Sequence, residues 1–185
     1  MFDKERFIED CRTALGEHSP REAVTELLER VLARPGEVEK AVGTPSQAGV
    51  ETLFSSDDLT VLNLVWGPEM TLYPHDHRMW AVIGIYGGRE DNRFYRRADG
   101  TLNTMGTRTL ETGDTIPLGD SIIHAVTNPL PRLTGAIHVY GGDFFGVPRS
   151  EFDPDTLEER PYDVENLKAA FAKSNDRWHE IQAGS

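Results

Sequence analysis

The sequence predicts a mainly β protein, a sandwich or barrel of short strands, preceded by helices and followed by one more. Three observations predict it. Residues 50 to 147 break into short segments rich in Val, Ile, Leu, Thr and aromatics, separated by Gly, Pro, Asn and Asp. Many short strands at regular spacing close into sheets packed face to face or into a barrel. The segments on either side carry helical periodicity instead.

The first 34 residues read as two helices. In "FDKERFIEDCRTAL", Phe2, Phe7, Ile8, Cys11 and Leu15 fall roughly on one helical face. In "HSPREAVTELLERVLARPG", Ser19 stands at an N-cap, Pro20 suits the first helical position and Glu22 completes a capping box. Val24, Leu27, Leu28, Val31 and Leu32 form the apolar stripe, and Pro35-Gly36 is expected to end the helix. The strand candidates are "TLFSS", "LTVLNLVWG", "MTLYPHDHRMWAVIGIYGG", "EDNRFYRR", "TMGTRTLETGDTIPLG", "SIIHAVTNP" and "TGAIHVYGG". The tail "YDVENLKAAFAKSNDRWHEI" reads as a helix within 160–182. No repeat or low-complexity linker interrupts the chain. One domain over 1–185 is expected, with a helical segment at 1–36 and a β core at 50–148.

The charge narrows the partners. A formal net charge of −12 argues against nucleic acid and anionic membranes, which need positive charge. No apolar run reaches the ~18 residues of a membrane span. "MFDKERFIEDCR" lacks the apolar core of a signal peptide, so cytoplasmic residence is expected. The single cysteine, Cys11, excludes an intrachain disulfide and reads as a small helix residue.

The chemistry sits in the histidines. Of six, His75, His77, His124 and His138 fall in the β region. Residues i and i+2 of a strand share a face, so His75 and His77 present their rings side by side. That is the geometry of two adjacent ligands of one ion, and imidazole suits iron, zinc, copper and nickel. By itself an HxH pair is equally consistent with ordinary pocket residues. In "GDTIPLGDSIIHAVTNP" a Pro and Gly turn leads into a strand carrying His124. Both stretches resemble the two metal motifs of cupins, in the same order. A glycine turn, Gly87-Gly88, follows the first, where glycine takes φ > 0 without a Cβ clash. Positions 78 to 82 hold no carboxylate to act as a fourth ligand, and Glu90 and Asp91 lie beyond the glycine turn, too far to serve.

"LTVLNLVWGPEMTLYPHDH", "SIIHAVTNP" and "AIHVYGGDF" together resemble the cysteine dioxygenase-like cupins, the thiol dioxygenases, over roughly residues 50 to 148. The resemblance implies a cupin double-stranded β-helix (a jelly-roll barrel) with N-terminal helices. It implies Fe(II) on His75, His77 and His124, with O2 and a small thiol as reactants and a sulfinate as product. It implies catalytic roles for His138 and Tyr140, which share a face of one strand: the hydroxyl would donate to bound oxygen or to the substrate, and His138 would orient it. The chain departs from the family at three points. Ala136 stands where the family has a relay serine. No cysteine near Val82 can form the thioether to the tyrosine. No arginine occurs around "GVETLFSSDD", where the family binds the substrate carboxylate.

Other arginines are candidates for that task. Arg78 should point away from the metal, and in "NRFYRR" either Arg96 or the pair Arg93 and Arg97 faces inward. Met79 is in phase with the histidines and is expected to wall the pocket, with Trp80 in core on the opposite face. Asp76 should face outward, as a partner to the ligands or a surface acid. Two rival readings remain: a metal-dependent cupin acting on a non-thiol substrate as isomerase, lyase or oxygenase, and a small-molecule-binding cupin without catalysis.

Overall fold

The computed structural model describes residues 1–98 and 101–184. The chain runs α1 (Lys4–Ala14), α2 (Pro20–Leu32), α3 (Pro35–Val42), β1 (Gly49–Ser55), β2 (Thr60–Trp66), β3 (Thr71–Asp76), β4 (Ala81–Gly87), β5 (Arg89–Ala98), β6 (Thr101–Glu111), β7 (Thr115–Leu118), β8 (Ile123–Thr127), β9 (Thr134–Tyr140), β10 (Ser150–Phe152), β11 (Glu159–Pro161) and α4 (Val164–Ala183). One sheet has the order β1-β2-β9-β4-β7 and the other β11-β10-β3-β8-β5-β6. The paired strands are antiparallel, with crossovers that place β9 between β2 and β4. The protein is mainly β, two opposed sheets with helices at both ends.

The central strands of the five-stranded sheet, β2, β9 and β4, are buried on both faces, which explains why β2 and β9 read as nearly unbroken apolar runs. Val61, Val82, Ile137 and Val139 pack outward against Phe7, Cys11, Val24, Leu28 and Leu32 of the N-terminal helices. Their strand neighbours Leu62, Ala81, Ile83 and Ala136 point into the space between the sheets. Gly84 lets α2 lie this close: a Cβ there would strike Leu28 and Leu32. Gly88, at φ +95°, makes the turn from β4 into β5 against Thr134.

Three local expectations need correction. Pro35 does not end the helical region: α2 stops at Leu32, and Pro35 opens α3 at the first helical position, where its missing N–H costs nothing. Ser19 caps α2 by position without a side-chain bond to the helix backbone. The sheets also run past residue 148, because β10 and β11 add to the edge of β3.

The last helix closes one end of the molecule. Asp163 caps it by accepting from the Glu165 amide at 2.9 Å. Phe171 stacks on Trp66 with ring centroids 5.9 Å apart. Asn175 binds both sides of the Ala48 backbone, accepting from its N–H at 2.7 Å and donating to its C=O at 3.0 Å. Trp178 donates to the Ser46 carbonyl at 2.9 Å. Among the described residues no helix is long and apolar enough to cross a membrane.

Candidate metal centre

β3 and β8 pair in the six-stranded sheet with His75 directly opposite His124. An irregularity between Leu72 and His75 re-aims the end of β3, and His77 follows the last strand residue. The three Nε2 atoms converge: His77 to His75 is 3.2 Å and His124 to His77 is 3.3 Å. All three side chains are buried, at 5%, 2% and 1% exposure. They form the one group of three such ligands among the described residues.

The spacing fits a metal ion. Three nitrogens about 2.1 Å from one ion lie about 3.0 Å apart at octahedral angles and about 3.4 Å apart at tetrahedral ones. The tautomers fit too. His75 Nδ1 lies 3.0 Å from the Tyr73 carbonyl, which can only accept, so Nδ1 carries the proton and Nε2 a lone pair. His124 Nδ1 lies 2.7 Å from Asn92 Oδ1. That amide is oriented by Glu90, which accepts from Asn92 Nδ2 at 2.8 Å. His124 Nε2 therefore also offers a lone pair. His77 Nδ1 is buried with no partner. Lone pairs aimed at one point in a buried site repel unless a cation stands between them. Burial holds His75 down to about 4, and holds His77 and His124 well below the ordinary imidazole value, so all three are neutral and able to ligate at neutral pH. His75, His77 and His124 can hold a metal ion.

His138 and Tyr140 face this site from β9 in the opposite sheet. His138 Nδ1 lies 2.9 Å from the Tyr140 hydroxyl, and the Tyr140 ring centroid is 5.1 Å from that of His77. Burial raises the phenol's pKa, so Tyr140 keeps its proton. On the far side, His138 Nε2 is buried without a hydrogen bond and stands 3.9 Å from Glu90 Oε2. Glu90 is fully buried, accepts from Trp66 Nε1 at 2.7 Å, and is pushed up to about 7 by burial. Glu90 does not join the three histidines as a ligand, as expected, but the turn at Gly88 folds β5 back beside β8, and its carboxylate supports His124 through Asn92.

Arg149, in the connection from β9 to β10, was not anticipated. Its guanidinium carbon sits 3.9 Å from the Phe144 ring centroid and 4.2 Å from that of Tyr162. Those rings in turn lie 6.3 Å from His77 and 6.2 Å from His75. Its Nη1 is buried with no hydrogen-bond partner. Arg149, the three ligands, His138 and Tyr140 line one cavity of about 530 Å³, and among the described residues no Asp or Glu lines it. Sequence offered little signal for Arg149: it follows a proline in a loop, and only the fold brings Phe144 and Tyr162 to its two faces.

The other candidates lie elsewhere. Arg93, Arg96 and Arg97 do not line the cavity. Arg97 pairs with Glu159 and Asp76, over the Phe152 ring. Arg78 points away from the histidines, as expected, and binds Asp76 at 2.6 Å. Asp76 is no surface acid: at 1% exposure it also accepts from the Ser150 amide at 2.8 Å, fixing β10 beside the ligands. Met79 loses its phase with the histidines because Arg78 adopts φ +57°. It packs in core against Gly142 and is not part of the cavity wall. Trp80 packs on the opposite face with the N-terminal helices.

No protein-family profile matches the chain. Solved structures are similar over 55–59% of the chain. The chain is similar to an RmlC-like cupin with a double-stranded β-helix from Methanocaldococcus jannaschii, at 11% identity over 55% of this chain and 85% of that one, with a TM-score of 0.46. It is similar to the DMSP lyase DddQ of Ruegeria pomeroyi, at 18% identity over 59% of this chain and 53% of that one, with a TM-score of 0.47. It is also similar to Bacillus subtilis oxalate decarboxylase, a protein with Mn(II) centres, at 13% identity over 55% of this chain and 27% of that one, with a TM-score of 0.44. The fold is mainly β, two antiparallel sheets with helices at both ends. β9 lies between β2 and β4 in one sheet, and His75 of β3 faces His124 of β8 in the other. These neighbours do not distinguish one cupin chemistry from another.

Proposed function

We propose that this protein is a cupin and a non-haem Fe(II)-dependent dioxygenase of the thiol dioxygenase type, converting a small thiol and O2 to a sulfinate. The observation that carries the reading is the convergence of three neutral histidines opposite the His138–Tyr140 pair in a single cavity. The reaction balances without a co-substrate: RSH and O2 give RSO2H, with sulfur oxidised and both oxygen atoms retained. When bound by His75, His77 and His124, Fe(II) supplies the open-shell chemistry that lets O2 react with a thiolate.

The chain's own groups then have defined tasks. Arg149, held flat between two rings with a free N–H, anchors an anionic substituent of the substrate in the two-pronged manner suited to a carboxylate. It supplies from the β9–β10 loop the positive charge that the family takes from an earlier strand. Tyr140, donating to His138 Nδ1, turns its hydroxyl oxygen toward the substrate, where it can accept a hydrogen bond from the thiol. Glu90, beside His138 Nε2, favours the imidazole form that accepts at Nδ1. Phe144 and the α4 residues shield the centre from bulk water.

Anaerobic Fe(II) loading followed by O2 uptake with a thiol panel tests this. The expected result is uptake coupled to stoichiometric sulfinate for a thiol that also carries a carboxylate, and loss of that preference in Arg149→Gln. Iron bound without uptake for any thiol would overturn the reaction and leave a metal cupin acting on a non-thiol substrate.

A further inference from the structure

The cavity is far larger and more apolar than the head group of a small thiol acid needs. At about 530 Å³ it has room for roughly seventeen water-sized groups at about 30 Å³ each. A carboxylate, a thiol and a short carbon link occupy only a minor part of that. Water is a poor occupant of much of the remainder, because a buried water needs two to four polar partners, and the inner wall beyond the histidines is mainly apolar, with Leu62, Leu64, Leu72, Val126, Leu167 and Phe171, while Thr52, Lys168 and Asn175 add polar groups elsewhere in the lining.

A second observation concerns the rim. Among the described residues, five large hydrophobic side chains are exposed: Met1, Val50, Met105, Phe145 and Val164. Val50, Phe145 and Val164 all border this one cavity. They come from β1, the β9–β10 loop and α4, so no shared local sequence explains the clustering. An apolar surface that continues from the inner wall to the opening fits a ligand whose apolar part reaches the mouth.

The charges are complementary at one end only. In a protein of net charge −12, the charged side chains lining the cavity among the described residues are Arg149 and Lys168. Lys168 is mostly exposed and paired with Glu165 at 2.8 Å, which leaves Arg149 as the unpaired cation beside the metal ligands. We propose that the physiological substrate is amphiphilic: an anionic head between Arg149 and the three histidines, carried on an apolar body of about six or more carbon atoms that lies along Leu62, Leu64, Leu167 and Phe171. This deepens the proposed function in placing the reacting head at that centre, but the apolar body rests on the cavity alone.

The test is a binding series that needs no turnover. Propanoate, hexanoate, octanoate and decanoate are titrated into the metal-loaded protein by calorimetry, with 1-octanol as the uncharged control. Affinity is expected to rise about fourfold per added methylene until the cavity is filled. Octanoate should bind at least tenfold more tightly than octanol, and Arg149→Gln should abolish that preference. Leu167→Gln, on a half-buried helix position, should weaken octanoate and leave propanoate unchanged. Equal affinity for propanoate and octanoate in the wild type would overturn the apolar body, whatever the variants do. A preference for octanoate that survives Arg149→Gln would overturn the anchor. A positive series with no thiol oxidation would remove the proposed reaction and keep the substrate class. A flat series with oxidation of a short thiol would do the reverse.

Discussion

At the scale of single residues, Glu90 controls more than its position suggests. As a carboxylate it only accepts, so both Trp66 Nε1–H and Asn92 Nδ2–H must point at it. Asn92 Oδ1 is then left for His124 Nδ1. In Glu90→Gln an N–H faces one of those donors. Relief by rotating Asn92 would turn its NH2 toward His124 and force the proton onto Nε2, the ligating atom. Metal affinity is therefore expected to fall about 10- to 100-fold, measured by chelator competition, while Glu90→Asp keeps the acceptor and restores part of it. Unchanged affinity in Glu90→Gln would mean that the amide does not set the tautomer. Tyr140→Phe separates from this: it should leave metal binding intact and lower turnover by about 10²- to 10³-fold, as loss of one positioned hydrogen-bonding group does. At this scale the ligands were legible because alternation along a strand puts His75 and His77 together whatever the rest of the fold. Glu90 and Arg149 were not, since each reaches the site through a turn whose direction no spacing encodes.

At the scale of elements, α4 forms one wall of the cavity, and of its polar contacts to the rest of the protein the two made by Asn175 satisfy backbone groups. Asn175 makes both hydrogen bonds that join it to the Ala48 backbone. Asn175→Ala leaves that N–H and C=O without their partners and is expected to destabilise helix docking by about 1–3 kcal/mol. Hydrogen exchange over 164–183 should accelerate, with β2, β4 and β9 unchanged. If the helix keeps its protection, packing of Phe171 on Trp66 suffices to hold it. The helix itself was readable in the sequence of the tail. The third N-terminal helix was hidden because Pro-Gly serves equally as a stop and, through proline's fixed φ, as a start. β10 and β11, at three residues each, are too short to show any period and exist only by pairing with β3 and with each other. Met79 was misplaced because strand phase does not survive a residue at positive φ.

At the scale of the whole molecule, burying four imidazoles ties stability to pH. Burial lowers His75 to about 4 and His138 to about 3, and moves His77 and His124 in the same direction. In the unfolded chain each titrates near 6.5. On acidification the unfolded chain takes up these protons first, so this contribution is full above about pH 6.5 and is lost on the way down to about pH 4 and 3. Glu90 works in the opposite sense. Raised by burial from 4.5 to about 7, it contributes fully below about pH 4.5 and loses its contribution as pH rises through 7. Four groups outweigh one, so the Tm of the metal-free protein should fall as pH drops from 6.5 to 4, and Glu90→Gln should steepen that fall. A flat acid limb would contradict the buried, neutral histidines. The two-sheet architecture was legible at this scale from the strand spacing and the double-faced apolar runs. The cavity was not, because its walls come from β1, β2, β3, β8, β9 and α4 together.

The central claim is that His75, His77 and His124 form one metal centre. The most direct measurement is metal content per chain, by elemental analysis, after purification without added metal and after anaerobic Fe(II) titration, in the wild type, His75→Ala and His124→Ala. One iron per wild-type chain, lost in both variants while each keeps a cooperative melt, is the predicted result. A wild type that takes up no iron, or variants that retain it stoichiometrically, would contradict the account.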